Sequence, residues 1–229
     1  MEQMIFKRII QTGCLLCLFC MIQSCTKDDE PVRILKVGVF GGSISSAPES
    51  ETAKNVWRAN LNIDLTTCGI GGAGFSSLTN NCIPTQIEEA EMFDVYILWA
   101  STNDTVGSEI GDLQTEDETT QAGGILKSLE KIKQKNSNAL VLFFTSLQRF
   151  DYDVYADRIP LFVDNQIVLC ENKHIPYLDQ YRLCGFDHSN YMQYYLPDKL
   201  HLNDMGYASI AAMQMEFIRE NIKKYGKFR

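Results

Sequence analysis

Four short blocks of this chain carry residue types that could break an acyl bond. Near the C-terminus, Asp198-Lys199-Leu200-His201 sets a carboxylate three residues ahead of an imidazole. Within a turn that spacing lets the acid hold one ring nitrogen while the other serves as a general base. A serine to activate stands in Gly41-Gly42-Ser43-Ile44-Ser45, directly after a strand-like run. A hydroxyl is a poor nucleophile until a base takes its proton, so Ser43 needs a partner such as His201. Two further blocks offer donors for the negative charge that develops on an attacked carbonyl. The turn Gly69-Ile70-Gly71-Gly72-Ala73-Gly74 presents closely spaced backbone N–H groups, and Ser101-Thr102-Asn103-Asp104 presents the Asn103 amide, which donates without titrating. The Ser43 N–H would be a third donor.

Rival assignments are weaker. Ser45 lies two residues beyond Ser43 and is expected on the opposite face. Asp187 and His188 are adjacent, too close for the same geometry, and His174 precedes a strand and reads as structural. The glycine turn also satisfies Gly-x-Gly-x-x-Gly, with Glu91 and Asp94 near the distance of a ribose-binding acid. Residues 75–82 lack the pattern of the helix that should receive a pyrophosphate, so a dinucleotide is not expected. After the leader there is no Cys-x-x-Cys or His-x-x-x-His pair, so no metal is expected, and acyl transfer of this kind requires no cofactor.

The elements that must position these blocks can be read from apolar periodicity. Residues 34–40, 62–68, 93–100, 139–145 and 175–178 read as strands. Residues 52–61, 84–92, 119–135, 154–173 (with Pro160 as a kink or break) and a last helix capped by Asn203 read as helices. Strands that are apolar throughout and separated by helices indicate parallel pairing with both sheet faces covered. The predicted fold is α/β, a flavodoxin-like three-layer α/β/α sandwich with about five parallel strands. Sites in such sheets form at the C-terminal strand ends, where Ser43, Gly72 and Asn103 all fall.

The chain has 229 residues, room for one sizeable domain. Its net charge of −8 argues against a nucleic-acid partner, which calls for clustered Lys and Arg. Lys7 and Arg8 followed by the apolar residues 9–22 read as an export leader, too short for a comfortable membrane span. Ile22-Gln23-Ser24-Cys25 resembles the lipobox of bacterial lipoproteins, which implies cleavage before Cys25 and a lipid anchor on its sulfur. The expected organisation is a leader over 1–24, the lipidated Cys25 with an acidic tether to 32, and the catalytic domain over 33–229. The anchor implies export to the bacterial outer membrane, facing either the periplasm or the cell surface. Of the eight cysteines, Cys68, Cys82, Cys170 and Cys184 remain for the folded domain. They are read either as local disulfides, 68 with 82 and 170 with 184, or as free, mostly buried thiols.

In order and spacing, the four blocks resemble the SGNH/GDSL hydrolase superfamily across residues 34–222. The resemblance implies Ser43 as nucleophile, His201 and Asp198 completing a triad, and the N–H groups of Ser43 and Gly72 with the Asn103 amide forming an oxyanion hole. It also implies an acyl-enzyme on Ser43. Three positions depart from the family pattern: Gly42 stands at the usual Asp, Thr67 at a common Asn, and Ser101 at the usual Gly. The family includes esterases, lipases, thioesterases and carbohydrate deacetylases. For an exported, anchored member, the expected substrate is a small (acetyl) ester on an extracellular carbohydrate. The rings in 146–158 and 186–195 are candidates to line its pocket. The alternative is a non-catalytic, surface glycan-binding lipoprotein on the same fold.

Overall fold

The computed structural model describes residues 33–225, so the expected leader, Cys25 and its tether lie outside the described residues. Five parallel strands form one sheet in the order β2-β1-β3-β4-β5: β1 Leu35–Gly41, β2 Ile63–Thr67, β3 Val95–Trp99, β4 Leu140–Phe144 and β5 Tyr177–Leu178. This is the flavodoxin-like order expected from the alternating pattern, and the chain reverses direction across the sheet between β1 and β3. The main helices are α1 Glu51–Asn60, α2 Ile83–Glu89, α3 Gln121–Lys135, α4 Ile159–Asn172 and α5 Asp204–Tyr225.

Alternation along the strands builds two cores. Leu35, Val37 and Val39 of β1, with Val95, Ile97 and Trp99 of β3, join Trp57 of α1 and Tyr207, Ile210 and Ile218 of α5. Phe40, Tyr96, Leu98 and Phe143 point the other way, onto Ile83 and Ile87 of α2, Ile125 and Ile132 of α3, and Leu169 of α4. Burial on both faces explains why these strands read as unbroken apolar runs. At about 25 cal/mol per Å² of apolar surface, such burial is the main term holding the layers together.

Two expected elements differ in extent. The helix expected over 154–173 is divided into a short turn, Asp153–Ala156, and α4, with Pro160 in the first turn of α4. A proline has no N–H and clashes inside a helix, yet suits its first turn. The fifth strand shrinks to two residues, because Pro176 can accept from Phe143 N–H but cannot donate to a ladder. Elsewhere the boundaries shift by a few residues at most. Asn203 does cap α5, its side-chain oxygen accepting the Gly206 N–H at 2.9 Å. Cys68, Cys82, Cys170 and Cys184 are all free thiols, so the local disulfide option is not the one realised.

Candidate active site

Ser43 opens a single helical turn, Ser43–Ser46, immediately beyond the end of β1. That turn is tied from three sides. The Tyr207 hydroxyl of α5 donates to the Ile44 carbonyl at 2.7 Å, and the fully buried Lys54 ammonium donates to the Ser45 carbonyl at 2.6 Å. Gln86 of α2 grips Gly41 like a strand neighbour: its Oε1 accepts the Gly41 N–H and its Nε2 donates to the Gly41 carbonyl. Ser45 is buried, and its hydroxyl donates to the Gly42 carbonyl, which removes it from the reacting face.

Asp198 and His201 share one turn before α5. Asp198 Oδ1 accepts the N–H groups of Leu200 and His201, both at 3.0 Å, while Oδ2 faces His201 Nδ1 at 2.7 Å. Closing this turn puts Lys199 in the left-handed region at φ +60°, which costs a non-glycine residue about 1–2 kcal/mol. Two backbone bonds offset it: Lys199 N–H donates to Leu196, and the Lys199 carbonyl accepts Phe150 N–H at 2.8 Å. Partial burial pushes the Asp198 carboxyl upward. The His201 N–H, the His201 ring and the Leu200 N–H outweigh it, holding the pKa below the ordinary Asp value. The other ring nitrogen, His201 Nε2, lies 2.8 Å from Ser43 Oγ.

Two of the oxyanion candidates, Gly72 and Asn103, line one cavity, and the Asn103 amide lies beside Gly42, the neighbour of Ser43. Gly72 adopts φ +81° with open space around it, a conformation that favours glycine in this turn. Asn103 Nδ2 donates one hydrogen to the Ala73 carbonyl at 2.8 Å, which leaves its second N–H available. Gly72 and Asn103 lie on the wall of one cavity of about 260 Å³, closed by Leu78, Thr79, Val106 and Ser108. A second cavity, of about 320 Å³, forms where 148–160 meets 181–188, with Arg149, Phe150 and Asp157 facing Phe186, Asp187 and His188. The ring-rich segments expected near a pocket thus do meet: Phe150 stacks on Tyr191 and abuts His188 edge-on. His188 is exposed, and His174 lies at the opposite pole beside Asn138 and Tyr225, so neither joins Ser43.

Several supporting residues carry no sequence signal of their own role. Asp104, next to Asn103, is fully buried and accepts Phe75 N–H at 3.0 Å and Ser76 N–H at 2.9 Å, pinning the end of the glycine turn. Burial raises its pKa against the pull of those bonds and of Gln121. The Asn-Asp pairing hints at Asp104, but nothing in the sequence marks Gln86 or Lys54. Residues 75–82 form turns and bends rather than the helix a pyrophosphate site calls for. Among the described residues no cluster of three His, Cys, Asp or Glu side chains could hold a metal ion.

A hydroxyl, an imidazole and a carboxylate in one hydrogen-bonded line, with an amide beside the residue that precedes the serine, can deprotonate that serine and meet the charge formed when it attacks a carbonyl. Comparison with known proteins agrees with that chemistry. No curated protein matches the chain in sequence. Among solved structures, a Lactobacillus plantarum protein superposes with a TM-score of 0.70 at 18% identity, covering 82% of this chain and 98% of its own. A member of the lipolytic G-D-S-L family from Veillonella parvula gives 0.60 at 20%, covering 79% and 96%. The lipase/acylhydrolase from Enterococcus faecalis gives 0.58 at 15%, covering 82% and 96%. At these identities the likeness speaks for the fold. The sequence model of the GDSL-like lipase/acylhydrolase family matches residues 39–209, most of the chain and all four blocks. The chain therefore belongs to the GDSL-like lipase/acylhydrolase family and is a hydrolase of ester bonds.

Proposed function

We propose that this chain is a serine esterase that removes a small acyl group, acetyl, from an extracellular carbohydrate through an acyl-enzyme on Ser43. One observation carries the reading: Ser43 Oγ sits 2.8 Å from His201 Nε2 while Asp198 engages the other ring nitrogen at 2.7 Å. His201 takes the hydroxyl proton as Ser43 attacks, and Asp198 stabilises the imidazolium that forms. The N–H groups of Ser43 and Gly72 and the free N–H of Asn103 receive the charge on the carbonyl oxygen. His201 then gives its proton to the departing sugar oxygen, leaving the acyl group on Ser43. A water deprotonated by the same ring hydrolyses that ester and releases the acid.

The departing oxygen stays within reach of His201 and the carbonyl oxygen faces the donors, so the acyl substituent takes a third direction, and the space assigned to it is the part of the neighbouring cavity beyond Gly72 and Asn103. Its lining mixes Leu78 and Val106 with Thr79, Asn80 and Ser108, which suits a short acyl group better than a long chain. The second cavity, with rings beside Arg149, Asp157 and Asp187, has the mixture of flat apolar faces and polar groups that suits a sugar. The lipid anchor on Cys25 would hold the enzyme at the outer membrane, where acylated glycans are met.

Purified protein incubated with an acetylated oligosaccharide should release acetate, and p-nitrophenyl acetate should be cleaved faster than the octanoate. Ser43→Ala should release nothing while keeping its melting temperature. A preference for the octanoate would overturn the acyl assignment, and an active Ser43→Ala would overturn the nucleophile. Replacing Cys25 by Ala should move the protein from the membrane to the soluble fraction of the producing cells; an unchanged distribution would remove the anchor.

A further inference from the structure

Gly42 has φ −93°, a backbone open to any residue, yet no side chain fits there. A Cβ on Gly42 would lie 2.5 Å from the Ala73 carbonyl oxygen, 2.8 Å from Ser101 Cβ and 2.9 Å from Asn103 Nδ2. Such approaches are far inside van der Waals contact, so space rather than conformation demands glycine. The space is taken first by the Ala73 carbonyl and then by Ser101, itself a departure from the family's usual glycine and only 2% exposed. Its hydroxyl donates to the Ala73 carbonyl at 2.7 Å and accepts the Asn103 N–H at 3.0 Å. The Ala73 carbonyl also receives Asn103 Nδ2, so both of its lone pairs are used. Ser101 is held in turn from the segment that follows β4: Ser146 Oγ donates to the Ser101 carbonyl at 3.0 Å, and Gln166 Nε2 donates to Ser146 Oγ at 3.1 Å.

We infer that Ser101 is the positioning residue of the oxyanion hole in this chain, and that Gly42 and Ser101 are a matched pair. The Ser101 hydroxyl locks the residue after Gly72 and the main chain of Asn103 to each other. The Asn103 amide rests one hydrogen on the Ala73 carbonyl, and the lock between the two main-chain segments sets where the other points, toward the reacting carbonyl. Without that hydroxyl the Ala73 carbonyl keeps only the Asn103 amide and the Asn103 N–H keeps no partner, so the main chain that carries the amide is no longer fixed against the glycine turn. An amide carried on a loosened main chain meets the developing negative charge at a longer distance, which raises the barrier without altering the ground-state pocket.

The inference rests on Ser43 being the nucleophile, and the experiment separates the two. Hydrolysis of p-nitrophenyl acetate by the full chain is compared for the wild type, Ser43→Ala, Ser101→Ala, Asn103→Ala and the Ser101→Ala/Asn103→Ala double variant. Losing an oxyanion donor outright typically costs about 10²–10³ in rate, so Ser101→Ala, acting through one, should lower kcat by about 10–10² with KM within about twofold. The double variant should be no slower than Asn103→Ala alone, because the two residues act as a unit. Ser101→Gly, the usual family residue against an unchanged Gly42, should behave like Ser101→Ala and guards against a folding defect in either variant. A kcat within twofold of wild type in these variants, or losses that multiply in the double variant, would overturn the positioning role. Activity surviving Ser43→Ala would instead sink the underlying assignment of the nucleophile.

Discussion

Ser43 and His201 are separated by 158 residues of chain, yet the serine hydroxyl and the imidazole Nε2 stand 2.8 Å apart. The sheet accounts for this closeness. Ser43 follows the C-terminal end of β1, and His201 sits in the turn that opens α5, the helix whose Tyr207 and Phe217 pack on Trp99 of β3 and Phe144 of β4. The Tyr207 hydroxyl of that helix reaches the Ile44 carbonyl, so one side chain fixes the distance between the turn of the base and the turn of the nucleophile. His201 keeps a partly exposed ring, 26% by side-chain surface, which leaves room for an alcohol and then a water to approach it.

Because hydroxyl and ring act together, removing either should cost nearly as much as removing both. His201→Ala and Ser43→Ala should each abolish measurable ester turnover, and the double variant should be no worse than either. A serine-directed fluorophosphonate should label the wild type and leave both single variants unlabelled. Labelling of His201→Ala at the wild-type rate would show that Ser43 is activated by some other group.

Asp198 links catalysis to pH. Its folded pKa lies below the ordinary Asp value. Such a group adds stability that is fully present above the unfolded carboxylate pKa and is lost as pH falls through the depressed folded value. The melting temperature of the wild type should therefore drop more steeply than that of Asp198→Asn over that acidic window. At neutral pH the same substitution should lower kcat severely, since the Asn swap costs about 10⁴ in a serine protease built this way. Parallel acid profiles in the two proteins would count against the linkage.

Asp104 supports the glycine turn from inside the fold. Asp104→Ala leaves the buried N–H groups of Phe75 and Ser76 without acceptors, each costing about 1–3 kcal/mol. For a domain of this size that should lower Tm by about 5–15 °C. Activity should fall as well, through loss of the Gly72 and Asn103 geometry. Thermal unfolding followed by circular dichroism measures the first effect, and p-nitrophenyl acetate hydrolysis measures the second.

The cysteines give a prediction independent of catalysis. With Cys68, Cys82, Cys170 and Cys184 all free, reductant should leave Tm unchanged. Intact mass after alkylation in denaturant, without prior reduction, should show all four thiols of the folded domain modified. Burial pushes the Cys68 pKa up to about 11 and raises that of Cys170 too, so both should react slowly in the native protein.

Much of the molecule was legible because its signals are local or periodic. Strands buried on both faces need apolar residues throughout, so β1, β3 and β4 announced themselves and with them the parallel sheet. Asp198 and His201 lie within one turn, where the carboxylate caps the same N–H groups that bring the ring round to it, and four residues of sequence contain the whole device. The φ of Gly72 is likewise a property of a single residue.

Other features depended on which backbone atoms the fold brings to a side chain. Gln86 serves Gly41 from 45 residues away, Asp104 serves Phe75 and Ser76 from 29 and 28, and Ser101 reaches Ala73 from 28. A side chain bonding to a distant carbonyl or N–H leaves no period and no motif, because every residue offers the same backbone groups and only packing decides which is met. Gly42 shows the limit most plainly. The sequence records an absent side chain there, and the reason appears only when Ser101, Ala73 and Asn103 close around the place where it would have stood. The types and order of the reacting groups were thus determined by the chain alone. Their distances, and the bracing that keeps them, were decided when loops remote in sequence were pressed together at one end of the sheet.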